Sequence, residues 1–292
     1  MKITKGIVLA GGSGSRLYPL TVAFNKQLIP IYDKPMIYYP ISILLMSGIR
    51  EILIVSTPDD LPLFKKLLGD GSLWGCRFSY IEQPHPRGLP EAFILGETFI
   101  GKDSVALILG DNILYGTDLQ KKLEESLSPE GAIVFAYQVA DPHRYGVVEF
   151  DAEFNVISLE EKPNKPKSNF VLPGIYFFNN EVVEISKKVV PSGRGELEIT
   201  DVIRNYLVRK KLKVTIFGRG TAWLDTGTNE SLVQASQFVQ VLEQRQGLKV
   251  CCPEEIAFRK GFIDEEKLRI SAKKFGKSDY GKFLLKLLEN PR

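Results

Sequence analysis

The chain has 292 residues, 44% hydrophobic and 25% charged, the balance of a folded globular protein, which excludes a disordered, collagenous or coiled-coil chain. At this length roughly 70–75% of the unfolded surface can be buried, so no disulfide is needed to hold a core. The net charge is +3, but ten basic and five acidic residues follow position 258, so a +5 tail sits on a body of −2, a distribution that does not describe a general nucleic-acid binder.

Cys76, Cys251 and Cys252 are odd in number and lack a metal-ligand spacing. With His85 and His143 they form no familiar zinc pattern. They read as small, buried, reduced residues of a cytoplasmic protein. The opening MKITKGIVLAGGSGSR is broken by glycines too early for a secretory signal. No run approaches 18 apolar residues, so no membrane span is expected.

In chain order, residues 6–10 read as a buried strand ending in a glycine-rich turn. A helix over 35–48 follows, with proline at its start and glycine at its end. Strand 51–57, helix 60–68, strand 77–81, helix 89–99, strand 104–110, helix 118–126 and strand 132–139 complete a β–α alternation. That alternation predicts a parallel sheet with helices on both faces, and IVLA, ILIVS and VALIL have the continuous apolar character of its strands. The middle departs from it: 146–150 and 156–159 read as a hairpin, 161–169 as a Pro/Lys-rich loop, 174–178 as a strand. A helix over 198–211, a strand over 213–217, a long helix over 228–246 and a helical end from 253 follow.

Three segments carry chemistry. The first strand runs into GGSGSRLYPLT (11–21) and then NKQLIP (25–30). Glycines there let backbone N–H groups approach a phosphate, and Arg16 and Lys26 add fixed positive charge. Glycines alone also build a ligand-free turn, and neither the dinucleotide fingerprint nor the Walker pattern is present. LILGDN (107–112) places Asp111 where a parallel strand ends, outside which ligands bind. A carboxylate there suits Mg²⁺ or caps the next loop. AWLDTGT (222–228) places Asp225 just before a helix whose N-cap is Thr226 or Thr228. Asp111 and Asp225 stand 114 positions apart, and spacing alone leaves open whether they meet.

Together with RYGVVEFD, LEEKPNKPKSN, GIYFFNN, RGELEITDVI and RQGLKVCCPEEIAFRKGFI, these segments resemble the sugar-1-phosphate nucleotidyltransferases, most closely those making deoxythymidine diphosphate sugars, over nearly the whole chain. The resemblance implies an α/β, Rossmann-like fold: a mixed, mostly parallel sheet flanked by helices, with a sugar-binding insertion and C-terminal helices. It implies one nucleotidyltransferase domain with a nucleotide-binding core (1–140), a sugar-binding part (141–227) and a helical part (228–292). The implied reaction is in-line attack of glucose 1-phosphate on the α-phosphate of dTTP, giving dTDP-glucose and pyrophosphate, the first step of dTDP-L-rhamnose synthesis. A phosphate is already a dianion near pH 7, so no general base is needed.

The resemblance also assigns residues. Gly11, Gly12 and Gly14 shape the loop over the triphosphate, and Arg16 holds the phosphates that leave. Lys26 contacts the α-phosphate, Asp111 and Asp225 hold Mg²⁺, and Lys162 binds the sugar phosphate. Base recognition maps to Gln27, Gln83 and the backbone of Leu9 and Gly88, a glutamine being able to pair with an imide edge. Without the resemblance, Gln83 reads equally as an exposed loop residue before Pro84. Sugar hydroxyls map to Glu161, Arg194 and the backbone of Tyr145, Gly146, Leu172 and Gly174, with Trp223 as a wall. A homotetramer is implied, with a second nucleotide site for dTDP-rhamnose as feedback inhibitor near Tyr115, Gly116, Arg219, Lys249, Val250, Cys251, Glu255, Ile256 and Arg259. Departures from the family pattern stand at Pro90-Glu91, Thr117, Pro173 and Asn229. No nucleic-acid or membrane partner is expected. The alternatives are a uridylyltransferase of the same mechanism, a nicotinamide-dependent dehydrogenase and a non-catalytic sugar-nucleotide sensor.

Overall fold

Apolar runs without a polar face are stable only where a sheet is covered on both sides, and the first half of the chain is built from them. The computed structural model describes residues 2–12 and 14–289. β1 (Lys5–Leu9) leads into a short hairpin, β2 (Pro30–Ile31) and β3 (Lys34–Pro35), then α1 (Tyr38–Met46), β4 (Glu51–Ser56), α2 (Leu61–Leu68) and β5 (Arg77–Glu82). Two short helices, α3 (Glu91–Leu95) and α4 (Glu97–Ile100), precede β6 (Val105–Leu109). The order β6–β1–β4–β5 is parallel throughout.

Two expectations shift here. The helix placed at 35–48 starts at Tyr38 because Pro35 pairs in the β2–β3 hairpin. Pro40, which has no N–H to lose, takes the first turn instead. The helix placed at 89–99 is broken at Gly96. A Cβ at Gly96 would stand 2.9 Å from the Ala92 carbonyl oxygen and 3.2 Å from Leu53 Cδ2, so the missing side chain lets this segment press onto the sheet.

The second half opens with β7 (Asn112–Gly116), α5 (Leu119–Glu125) and β8 (Ala132–Gln138). The expected hairpin is β9 (Gly146–Phe150) and β10 (Val156–Glu161). β11 (Phe170–Val171), β12 (Ile175–Phe178), α6 (Glu181–Ser186), α7 (Ile199–Val208), β13 (Leu212–Ile216) and β14 (Thr221–Asp225) follow. The chain then runs through α8 (Asn229–Gln246), α9 (Pro253–Arg259), α10 (Glu265–Phe275) and α11 (Asp279–Glu289). β12 inserts antiparallel between β6 and β8, joining the halves into a ten-stranded mixed sheet ordered β10–β9–β11–β8–β12–β6–β1–β4–β5, with β13 parallel beside β8.

Alternate residues of each strand feed opposite faces. Val8, Ile52, Ile54, Ala106 and Ile108 join one core with α1, α8 and the C-terminal helices. Ile7, Leu53, Val55, Val105 and Leu107 join the other, with α3, α6 and α7. The basic tail is part of the first core: Phe283, Leu284 and Leu287 of α11 are buried while Lys282 and Lys286 stay exposed, the pattern of a packed amphipathic helix.

Two features were not expected. β7 and β14 form an antiparallel ribbon apart from the main sheet, with Asn112 opposite Asp225 and Gly116 opposite Thr221. Lys34, only 3% exposed, donates to Asp33 at 2.6 Å and to Glu243 of α8 at 3.0 Å, and Lys249 joins the same two carboxylates. Among the described residues no helix is long and apolar enough to cross a membrane.

Candidate active site

β1 lies between β4 and β6, so the strand order reverses at its carboxyl end, where a parallel sheet leaves a crevice. Two cavities, of about 300 and 260 Å³, open there and share Arg16 and Asp111.

The first is lined by Gly12, Gly14, Arg16, Lys26, Gln27 and Asp111 among others. Gly14 has φ +61°, and its carbonyl accepts from Thr21 Oγ1 at 2.7 Å, which pins the glycine-rich turn. Asn25 caps the next turn: its side chain accepts from Gln27 N at 2.9 Å and donates to the Ala10 carbonyl and to Asp60. That lock aims Lys26, whose Nζ lies 2.5 Å from Asp111 Oδ2. Gln27 is buried, and its Oε1 has no partner among the described residues.

The second cavity collects Tyr145, Gly146, Glu161, Lys162, Leu172, Gly174, Trp223 and Asp225. The β7–β14 ribbon answers the question that spacing left open, because it brings Asp225 opposite Asn112, next to Asp111. Asp225 Oδ2 accepts from Arg144 Nη2 at 2.7 Å and from Tyr145 Oη at 2.8 Å, and its Oδ1 from Gly227 N at 2.6 Å. Burial, followed by the bond to Asp225, pushes the Tyr145 phenol pKa well up, so Tyr145 remains a donor. Each carboxylate thus has a cationic partner, Lys26 or Arg144.

Burial pushes the Glu161 carboxyl pKa up, against the pull of Lys162 and Arg194 and with the push of Glu198. Lys162 follows the end of β10 with φ +43°, rare for a residue with a side chain, and strain of this kind concentrates at functional sites. Trp223 Nε1 donates to Asn112 Oδ1 at 2.6 Å, while the buried Asn112 Nδ2 has no partner among the described residues. A Cβ on Gly174 would stand 2.1 Å from that nitrogen.

The remaining expected residues lie around these cavities rather than in their lining. Gly11 faces Gln83, whose Oε1 a Cβ would meet at 2.6 Å. Gln83 is buried, not an exposed loop residue. The Leu9 carbonyl accepts from Gly110 N at 2.9 Å. Gly88 packs on Leu197, where a Cβ would meet the carbonyl oxygen at 2.1 Å. Arg194 clamps Glu198 and approaches Glu161 at 3.9 Å. Arg144 and Asn112 lie inside RYGVVEFD and LILGDN but were given no role from the sequence, since an exposed arginine in a polar stretch and an asparagine after Gly-Asp look like loop residues.

The donor set fits a hard divalent cation that keeps water and phosphate oxygens as further ligands, since Asp111 and Asp225 line one cavity. Among the described residues no cluster of three or more His, Cys, Asp or Glu is arranged to hold a metal by protein alone.

A separate cavity of about 250 Å³ is lined by Tyr115, Gly116, Lys249, Val250, Cys251, Glu255, Ile256 and Arg259. Arg219 lies outside its lining. The far half of β7 forms one wall, so the ribbon borders both this cavity and the one that holds Tyr145, Glu161 and Lys162.

Known proteins agree with this architecture. The family profile described as nucleotidyl transferase matches residues 5–241. A glucose-1-phosphate thymidylyltransferase from Mycolicibacterium smegmatis is 55% identical over 285 residues, 98% of this chain and 99% of that one. One from Neisseria meningitidis is 54% identical over 286 residues, again 98% and 99%. Among solved structures, a Bacillus anthracis protein described as a glucose-1-phosphate thymidylyltransferase, in complex with sucrose, aligns with a TM-score of 0.75 at 39% identity, covering 80% of this chain and 94% of that one. A UDP-glucose pyrophosphorylase bound to UDP-glucose aligns at 0.72 and 28% identity, covering 82% and 99%. The chain belongs to the nucleotidyl transferase family and, within it, to the glucose-1-phosphate thymidylyltransferases.

Proposed function

We propose that the protein joins dTTP to glucose 1-phosphate, releasing pyrophosphate and forming dTDP-glucose, as the first step of dTDP-L-rhamnose synthesis in the cytoplasm. The observation that carries this reading is the pair of cavities meeting at Arg16 and Asp111. One has the glycine turn, Lys26 and Gln27 for a nucleotide; the other has Glu161, Lys162 and Asn112 for a phosphorylated sugar. The reacting phosphorus belongs at their junction. The whole chain acts as one domain, with 1–140 serving the nucleotide, 141–227 the sugar, and 228–292 packing as helices.

The sugar phosphate is the nucleophile, so catalysis is positioning and charge neutralisation. Lys162 holds the incoming phosphate. Arg16 and the N–H groups of the glycine turn hold the departing pyrophosphate. Lys26, aimed by the Asn25 cap, meets the charge that grows on the α-phosphate. Glu161 and Asn112 orient sugar hydroxyls, and Tyr145 fixes Asp225. Asp111 and Asp225 would hold Mg²⁺, which when bound supplies charge neutralisation at the phosphates. Gln83 and Gln27 read the base.

The deciding assay is pyrophosphate release from glucose 1-phosphate with each of the five common nucleoside triphosphates, with and without Mg²⁺. No release with dTTP would overturn the assignment, and a preference for UTP would favour the uridylyl reading that the pyrophosphorylase likeness suggests. The separate cavity bounded by Tyr115 and Lys249 is assigned to dTDP-rhamnose as feedback inhibitor, in a homotetramer. A steady-state rate unchanged by saturating dTDP-rhamnose would refute that assignment.

A further inference from the structure

Arg16, Arg144 and Lys162 line the cavity proposed for the sugar, together with the carboxylates Asp111, Glu161 and Asp225. The Arg144 side chain is 40% exposed and meets Asp225, 19% exposed, through one bond from Nη2 to Oδ2 at 2.7 Å. Its guanidinium lies 5.6 Å from the centre of the Tyr145 ring. Among the described residues it donates no other hydrogen bond, so most of its five N–H groups are uncommitted. An ion pair this open to water adds little to folding. The planar fork of an arginine, in contrast, suits phosphate oxygens.

The backbone sets Arg144 beside Lys162. Gly146 pairs with Glu161, and Lys162 N–H donates to the Tyr145 carbonyl at 3.0 Å, so the two cations stand at the joined ends of β9 and β10. Gly227 sets Arg144 beside Arg16 as well: a Cβ there would meet Arg144 Nη2 at 3.3 Å and Arg16 Nη1 at 3.4 Å. Arg144 and Tyr145 together occupy both lone pairs of Asp225 Oδ2. That oxygen opens to another ligand only when one of the two donors withdraws. Tyr145 is anchored by its backbone bonds and by its ring, 5.0 Å from that of Trp223. Arg144 is the donor with freedom to leave.

We propose that Arg144 is a transferable cation: it neutralises Asp225 while the site is empty, and when a divalent cation takes that carboxylate it turns to the phosphate of glucose 1-phosphate beside Lys162. The exchange keeps charge matched at both stages. In the empty crevice Arg144 offsets a carboxylate that shares its cavity with Asp111 and Glu161. In the loaded one it gives the dianionic sugar phosphate a second cation. Tyr145 keeps Asp225 aimed throughout. The inference rests on the readings of Asp225 as a metal ligand and of this cavity as the sugar's.

The test uses the full-length, nucleotide-free protein and Mn²⁺, whose binding is read by electron paramagnetic resonance without turnover. Arg144→Met is expected to bind Mn²⁺ about two- to fivefold more tightly than the wild type, because a competitor for Asp225 is gone. In the Asp225→Asn background the same substitution should tighten binding far less. In steady-state kinetics, KM for glucose 1-phosphate rises about 10-fold or more in Arg144→Met while KM for dTTP is unchanged. Arg144→Lys keeps the charge, loses less, and stands in if the methionine variant folds poorly. Weaker Mn²⁺ binding in Arg144→Met would show that the arginine merely props Asp225. Equal tightening in both backgrounds would show a general charge effect, and a rise in KM for dTTP alone would give the arginine to the triphosphate. Each of these overturns the inference and leaves the metal and sugar readings standing. Mn²⁺ affinity untouched by Asp225→Asn alone would remove the metal reading of Asp225, and the inference with it.

Discussion

Replacing Lys26 by methionine keeps the length of the side chain and removes one charge. Lys26 Nζ stands 2.5 Å from Asp111 Oδ2, with side-chain exposures of 7% for the lysine and 26% for the aspartate. Because water still reaches the carboxylate, losing its partner costs folding about 1 kcal/mol, well short of the roughly 3–5 kcal/mol for breaking a fully buried pair. The transition state loses more. A preorganised group aimed at developing charge is worth about 3–4 kcal/mol, so kcat is expected to fall about 100- to 1,000-fold. The substitution has a second, opposite consequence. Lys26 and a divalent cation compete for Asp111, so the variant reaches half its maximal rate at a lower Mg²⁺ concentration. Pyrophosphate release across a Mg²⁺ titration, with a melting curve on the same sample, reads both effects. A folded variant that keeps kcat within about fivefold of wild type, or one that needs more Mg²⁺, would refute the role given to this lysine.

Glu161 gives a pH signature. Its pKa is raised by burial, so the stability it contributes is present below the ordinary glutamate range and lost as pH rises through the raised value. Glu161→Gln should therefore raise the melting temperature of the ligand-free protein at pH 7 and flatten its pH dependence above the ordinary range, while KM for glucose 1-phosphate rises; calorimetry and kinetics check the two halves. At Lys162, with φ +43°, the glycine variant should be more stable than the alanine variant by about 1 kcal/mol, and denaturant titration compares them; both lose sugar-phosphate affinity. Gly174→Ala puts a Cβ 2.1 Å from Asn112 Nδ2 and 2.7 Å from Leu109 Cδ1 at a positive φ, so it should cost about 2 kcal/mol or more in a chemical denaturation curve and disturb the Asn112–Trp223 bond in the cavity proposed for the sugar.

The parallel half of the sheet was legible because β1, β4 and β6 are continuous Val/Ile/Leu runs, and such runs have few alternatives. Asp111 was placed at the crevice because a strand end in a parallel sheet is a place that sequence can locate, and Arg16 and Lys26 because they are the cations of the glycine-rich turn that follows β1; the structure brings the three to adjoining cavities. The β7–β14 ribbon was not. Its strands lie about a hundred residues apart, and NILYG has no local reason to prefer pairing with TAWLD over continuing as a loop. Arg144 became visible only once that ribbon delivered Asp225 to it. The Lys34–Glu243 pair was hidden differently, since lysine and glutamate at ordinary spacing read as solvated, and only the packing of α8 on the β2–β3 hairpin buries them. Gly96 looked like a tolerable helix glycine until the sheet beneath it was known.

The ribbon also sets a constraint on change. Its near end supplies Asn112, Trp223 and Asp225 to the cavity proposed for the sugar, and its far end supplies Leu114, Tyr115 and Gly116 to the other cavity. Five paired residues span only about 17 Å, too short for the ends to adapt independently. A library that remodels the near end for a new acceptor sugar will therefore select, unasked, for altered behaviour at the far cavity. Substitutions on β7 and β14 should accumulate in pairs rather than singly.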